Sequence, residues 1–282
     1  MGSPGRLQSA ADRALAHVTS MSRGGPIDPS WRVTLNFHPD RLTREGLPIL
    51  DALARDGLYR SQFETGTSNG GLTAYRGGDR WSWESRIFGT AYDESLAASR
   101  PKYGSLNFRD RPVGGSPRFG SAHLRLRPAT LARTTFCYPD SVLEPTNFGV
   151  ASAAMPLIEL AEADNADALD DYVEAQVHGT VRVNEDVEAL VLDPCFRHTE
   201  VESAATRLGC PVEWHGGFEL TIAVLSQHPG YRGGQFVRLG LELAQDGLLN
   251  PRIIGAAVRT GRYDQQDLKR VWHYVARFGC PA

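Results

Sequence analysis

The sequence predicts an α+β fold, and three observations predict it. Short segments with alternating apolar and polar residues, bounded by Gly and Pro, recur between residues 31 and 220. Helical patterns fall between some of these segments without the regular strand-helix alternation of a parallel sheet. The last 60 or so residues are helical in pattern throughout, and 282 residues at 41% hydrophobic content can bury a sizeable core. The expected organisation is a lead and linker over 1–30, a main domain over 31–220 and a helical C-terminal region over 221–282 packed on it.

The elements follow in order. A small, polar helical pattern over 7–18 ends in the breaker-rich SRGGPIDPS. WRVTLNFHPDR reads as a strand and turn, and 44–56 as a helix that tolerates Pro48 near its first turn, stopped by Gly57. LYRSQF then reads as a strand running into the glycine-rich turn ETGTSNGG. An aromatic-rich helix is predicted over 81–92, where Trp81, Glu84 and Phe88 share a face. KYGSLNF, GSAHLRLRP and ARTTFCYP read as strands between breaks, and a helical stretch over 156–163 lies in an acidic, small-residue section. YVEAQVHG is the next strand. A turn over 184–186 leads into the strand VEALVLD, a helix over 200–208 and the strand CPVEWH. In the tail, Asp264 is a suitable N-cap for a helix over 265–278 with the apolar stripe Leu268, Val271, Trp272 and Val275.

Composition narrows the function. A net charge of -3 with no charge runs does not favour a nucleic-acid partner, and no apolar run is long enough to span a membrane. Lysine occurs only at Lys102 and Lys269, so the cations are nearly all arginine. The four cysteines form no CxxC pair, and the eight histidines contain no HExxH, so no metal site is expected. No signal-peptide pattern opens the chain, which suits a cytoplasmic protein or one delivered into another cell without a classical signal. There is no Walker loop, GxGxxG turn or GxSxG elbow.

The candidate chemistry begins with YVEAQVHG. As a strand it sets Glu174, Gln176 and His178 on one face and Val173, Ala175 and Val177 on the other. Desolvated polar groups need partners, so such a face reads as the wall of a cleft; a half-exposed strand with a solvated face is the plainer reading. A carboxylate there could bind a sugar hydroxyl pair and stabilise a developing oxocarbenium ion. In LYRSQFETGTSNGG, Arg60, Gln62 and Glu64 would share a strand face beside Thr65 and Ser68, and an arginine next to a Gly/Ser/Thr turn suits a pyrophosphate. The same stretch also fits an arginine paired with an acid and a turn rich in glycine for backbone reasons. Glu213 with His215 is a second acid and imidazole at alternating spacing, and Asp186 with Glu188 a pair of carboxylates at the same spacing. Phe88 could stack on a base or nicotinamide if it is not core. Ser121 and His123 alternate on a strand, and Asn107 lies near a turn.

Taken together, Arg60 on an early strand, Ser121 on a middle strand and Glu174 on a later one resemble the Arg, Ser, Glu order of the mono-ADP-ribosyltransferases. These strings with the tail LKRVWHYVARFG look like the CteC-like bacterial ubiquitin threonine ADP-ribosyltransferase effectors, a resemblance spanning about residues 31–279. It implies a split β-sandwich with flanking helices, NAD as the co-substrate, and transfer to a protein hydroxyl, a threonine of ubiquitin. It also implies that Arg60 binds NAD phosphates or ribose, Phe88 contacts nicotinamide, Ser121 braces the strands and Glu174 holds the ribose. Glu174-Ala175-Gln176 departs from the usual E-x-E or Q-x-E. Three acidic arrangements therefore compete for the catalytic role: Asp171 with Glu174, Asp186 with Glu188, or an acid with Glu213. The alternatives are a non-catalytic NAD or nucleotide-binding module, or a toxin-type transferase acting on nucleic acid.

Overall fold

The computed structural model describes residues 8–66 and 73–279. The chain enters through α1 (Ala10–Met21), started by a capping box between Ser9 and Asp12. Next come β1 (Val33–Phe37) and α2 (Ile49–Asp56), with Pro48 as N-cap and left-handed Gly57 as C-cap. The expected strand LYRSQF stops early. β2 covers Leu58–Tyr59, and Ser61 then caps one helical turn, α3 (Gln62–Thr65), through a capping box with Glu64. The S-x-x-E spacing satisfied backbone N–H groups locally and overrode the alternation.

α4 (Asp79–Ile87) is followed by β3 (Lys102–Leu106), β4 (Ala122–Leu126) and β5 (Thr134–Tyr138), where the Gly- and Pro-bounded segments lie. β6 (Asn147–Val150) forms in a section expected to hold only a helix; that helix is α5 (Met155–Ala163). β7 (Val173–Val177), β8 (Val181–Arg182), the single turn α6 (Val183–Asp186) and β9 (Val187–Leu192) come next. α7 (Glu200–Ala205) crosses from β9 to β10 (Val212–Trp214), which pairs parallel to it. The tail comprises β11 (Leu220–Thr221), α8 (Ile222–Ser226), α9 (Gly234–Leu243), β12 (Leu248–Leu249), α10 (Pro251–Arg259) and α11 (Gln265–Phe278), the last capped by Asp264. The class is α+β. Among the described residues no helix is long and apolar enough to cross a membrane.

Eight strands hydrogen-bond in the order β10-β9-β4-β1-β3-β7-β5-β6. The ladder is continuous, so the two separate sheets implied by the resemblance are not separate in hydrogen bonding. One joint is far weaker than its neighbours, however. β1 and β3 share two registered pairs, Val33 with Leu106 and Thr34 with Ser105, against four for β1 with β4 and five for β3 with β7. Beyond Thr34 the two strands part. The sheet is thus two four-stranded halves held at a short seam, and a cavity occupies the gap, with Asn36 and Phe37 on one side and Lys102, Tyr103 and Gly104 on the other.

One face of this sheet is apolar. Val33, Leu35, Leu106, Leu124, Val173 and Val177 form a single core with Leu50 and Leu53 of α2, Leu157 and Ile158 of α5 and Ala204 and Ala205 of α7. A second core gathers α8 to α11 around Trp272 and reaches the main domain through Val113 and Leu169. A third holds α1 and α4 over Cys137 and Val150.

Gly104 sits at the parting of the seam. A Cβ there would lie 2.4 Å from the Thr34 carbonyl oxygen and 2.5 Å from Leu35 Cδ2, closer than side-chain atoms approach. Gly104→Ala is expected to lower stability by about 2 kcal/mol by forcing β1 away, read as a fall in the urea midpoint at unchanged slope; an unaltered midpoint would contradict the seam as described.

Candidate active site

β7 presents its polar face opposite the apolar core. In register, Glu174 lies between Cys137 of β5 and Ser105 of β3, and Gln176 between Thr135 and Tyr103. Thr34 continues the row onto β1. Glu174, Gln176, Ser105 and Thr34 are all buried, so each must find a partner within the protein. The loop segments over the sheet supply them. Ser141 donates to Glu174 Oε2 from its hydroxyl at 2.8 Å and from its backbone N–H at 3.3 Å, and Gln176 Nε2 donates to Glu174 Oε1 at 3.0 Å. Ser105 donates to Ser116 at 2.9 Å, and the Gly115 N–H donates to Thr34 Oγ1 at 2.9 Å.

α4 lays a charged group across this face. Arg80, 2% exposed, donates to Ser141 Oγ at 2.9 Å, stands 4.0 Å from Glu174 Oε1 and has its guanidinium carbon 3.9 Å from the Tyr103 ring centroid. Its Nε, though buried, has no hydrogen-bond partner. Tyr103 donates to Glu84 Oε1 at 2.8 Å, and Arg100 donates to Glu84 Oε2 at 2.5 Å. Burial pushes the Glu174 carboxyl above the ordinary carboxylate range; Arg80 pulls against that shift and Asp140 adds to it.

Glu174, Arg80, Tyr103, Asp140 and Ser141 all line the seam cavity, which has a volume of about 440 Å³. That lies within the range of small-molecule sites. The opposite wall comes from α2, β2, α3 and the segments flanking them: Ile49, Ala52, Leu53 and Tyr59 are its apolar part, and Arg44 and Arg60 its cationic part. Lys102 also faces it, with Nζ donating to the carbonyls of Ala98, Arg100 and Gly179.

The structure brings together Arg60, Thr65 and Glu174 around this cavity. Arg60 is on no strand face; it follows β2 and forms an ion pair with Asp56 at 2.8 Å, with its side chain half exposed. Ser68 lies outside the described residues. The rest of the candidates are elsewhere. Gln176 is beneath the cavity, bonded to Thr135 and Glu174. His178 is enclosed between the Tyr92 hydroxyl at 2.7 Å and Thr135 Oγ1 at 3.0 Å, with Phe88 edge-on to it; Phe88 is therefore core rather than a stacking platform. Asp186 pairs with Arg133 and accepts from the Arg182 N–H. Glu188 and Glu213 belong to a partly exposed network with Arg32 and Arg125 at the β9-β10 edge. Burial alone would raise Glu188, but hydrogen bonds from Arg32 and Arg125 hold its carboxyl below the ordinary range, and Arg125 lowers Glu213. His215 donates from Nε2 to the Ser121 carbonyl and accepts the Gly217 N–H at Nδ1, which fixes its tautomer. Ser121 is buried under that contact, and Asn107 closes a turn on Arg111. Asp171, the other acid weighed, pairs with Arg109 and Arg111.

Sequence reasoning missed Arg80, Tyr103, Asp140 and Ser141. Arg80 and Glu84 are one helical turn apart, the spacing of an ordinary exposed ion pair, and nothing in DRWSWESR marks them as buried.

Burial holds His178 and His123 down to about 3, so both are neutral in the folded protein at neutral pH. Unfolding frees them to take up protons below their ordinary 6.5. The stability they contribute is complete above pH 6.5 and is lost as the pH falls toward 3, by about 1.4 kcal/mol per pH unit per group. Urea midpoints should therefore drop between pH 6.5 and about 4.5, less steeply in His178→Gln; equal slopes in the two proteins would contradict this.

No curated protein matches the sequence. Residues 32–155 and 150–278 match the model of a family described as Protein of unknown function (DUF3626), and since these segments cover most of the chain, it belongs to that family.

Proposed function

We propose that the chain is an NAD-dependent mono-ADP-ribosyltransferase that modifies a protein hydroxyl, a threonine of ubiquitin. The observation that carries the reading is a buried carboxylate, Glu174, in a ligand-sized cavity beside a buried arginine with an unpartnered N–H. The lining suits a dinucleotide. Arg80 Nε is a donor awaiting an acceptor, Gln62 Oε1 is a buried acceptor without a donor, Arg44 and Arg60 stand where phosphates would be neutralised, and the apolar side chains of Ile49, Ala52, Leu53 and Tyr59 suit a base.

When bound, NAD supplies a weak glycosidic bond between ribose C1′ and the nicotinamide nitrogen. Glu174 would accept hydrogen bonds from ribose hydroxyls and stabilise the positive charge that develops as that bond breaks and nicotinamide leaves with its electron pair. Arg80, held by Ser141 and backed by the Tyr103 ring, would orient the anionic part of the ligand. The acceptor oxygen forms the new bond to C1′, and its proton passes to a carboxylate. Asp140 is the acid lining the cavity nearest in role to this task, held by the Val142 N–H at 2.6 Å and by the Tyr172 hydroxyl. Asp186, Glu188 and Glu213, tied to arginines elsewhere, are not assigned it.

One observation favours a second reading. Both oxygens of Glu174 already accept hydrogen bonds, from Ser141 and Gln176, as suits a carboxylate that shapes a binding site without chemistry. Incubation with labelled NAD and ubiquitin separates the two. A transferase releases nicotinamide and labels ubiquitin, and Glu174→Gln should slow this by roughly 10²-fold or more, with Glu188→Ala and Glu213→Ala within about twofold of wild type. Binding of NAD without nicotinamide release would leave the binding module; no binding and no labelling would remove both.

A further inference from the structure

We propose that Glu84 is the positioning residue of the seam cavity: from beneath its floor it fixes Tyr103 and Arg100, and through them the placement of Arg80 and α3 against a bound anionic ligand. The proposal rests on reading the cavity as a dinucleotide site.

Glu84 has no solvent exposure and is not among the residues lining the seam cavity. Each of its oxygens takes one strong donor, Tyr103 at 2.8 Å and Arg100 at 2.5 Å. Tyr103 lines the cavity, and Arg100 packs against α3, which carries part of its wall. The Tyr103 ring supports the Arg80 guanidinium at 3.9 Å. Arg100 also donates to the Tyr92 carbonyl at 2.9 Å, and its guanidinium carbon stands 4.1 Å from the centroid of the Phe63 ring, between Gln62 and Glu64 on α3. α3 is tied to the same segment by Ser61, whose hydroxyl donates to the Ala97 carbonyl at 2.7 Å. A buried ion pair is a poor source of stability, because desolvation offsets most of the Coulomb gain and an apolar cluster would do as well. What it supplies is direction: one arm ends at Tyr103 and Arg80, which line the cavity, and the other at Phe63, whose chain neighbours Gln62 and Glu64 line it.

The arrangement is sensitive to pH. The groups facing Glu84 are Arg80 from its own helix, Arg100, Lys102 and Tyr103 from the β3 segment, and Tyr92 from the turn after α4. Burial pushes the Glu84 carboxyl up to about 7 against the pull of Arg100, Tyr103 and Arg80. Burial and the neighbouring Glu84 charge keep both tyrosines protonated, so Tyr103 stays a donor. Above about pH 7 the carboxylate accepts from both partners; below it the added proton faces either Arg100, which cannot accept, or Tyr103, whose hydroxyl must turn to accept it, so the two charge-assisted bonds are no longer both made.

The test follows the Arg80 Nε–H resonance in ¹⁵N-labelled full-length protein and NAD affinity by calorimetry, each from about pH 6 to pH 8. In wild type the resonance should move with a midpoint near 7, and NAD should bind about tenfold more tightly at the upper end. Glu84→Gln should flatten the resonance and weaken binding at high pH by about tenfold. Tyr103→Phe keeps the ring and removes one donor, so it should weaken binding severalfold while a midpoint remains; it also serves if Glu84→Gln does not fold. Wild-type affinity together with a wild-type titration of the Arg80 resonance in Glu84→Gln would overturn the proposal. If NAD does not bind wild type but the resonance titrates and Glu84→Gln abolishes that, the dinucleotide reading falls and the positioning role stands.

Discussion

The two residue pairs that join β1 to β3 govern the rest of this structure. A longer ladder would have closed the sheet into one continuous wall, with no gap for a ligand. No ladder would have left two half-sheets free to move against each other. Two pairs hold the halves in register and let them part beyond Thr34, and the glycine at Gly104 lets the backbones cross closely where they diverge. The apolar core behind the sheet spans both halves through α2, α5 and α7, so the seam is short in hydrogen bonds but not in packing. Hydrophobic burial thus supplies the stability that backbone pairing at this joint cannot.

The price of the gap is a polar face inside the protein. Glu174, Gln176, Ser105 and Thr34 each need partners, and the loops carrying Gly115, Ser116 and Ser141 fold over the sheet to provide them. α4 adds charge to the same layer: Arg80 faces the cavity, and Glu84 is held one turn deeper between Arg100 and Tyr103. Most of these groups are satisfied. The exceptions at the cavity, Arg80 Nε and Gln62 Oε1, fall where a ligand's polar atoms would complete them.

Within the resemblance to mono-ADP-ribosyltransferases, the arrangement shifts weight among the acids. Glu188 and Glu213 are bridged by Arg125 at the sheet edge, and Asp186 and Asp171 are paired with arginines. Asp140 and Glu174 share the cavity. The proximity of two carboxylates there, with one arginine close to Glu174, is the setting in which burial and charge separate the roles of two acids.

Much of the fold was legible because its signals are local. Alternation marked β1, β3, β4, β5, β7, β9 and β10, and Asp264 marked the start of α11, since caps and periodicity depend on residues a few positions apart. The polar face of YVEAQVHG was legible for the same reason, and Glu174 does line a cavity. The one-turn helix at Gln62 was a contest between two local signals, decided by the Ser61–Glu64 capping box. What the sequence by itself could not determine was which polar residues meet. Phe88 and His178 went to the core, Glu188 and Glu213 to a surface network, and Arg80, Tyr103 and Ser141 to the cavity floor. Those outcomes depend on strand order and on the length of the β1–β3 seam, which join residues as far apart as Arg80 and Ser141, and no spacing along the chain encodes such a contact.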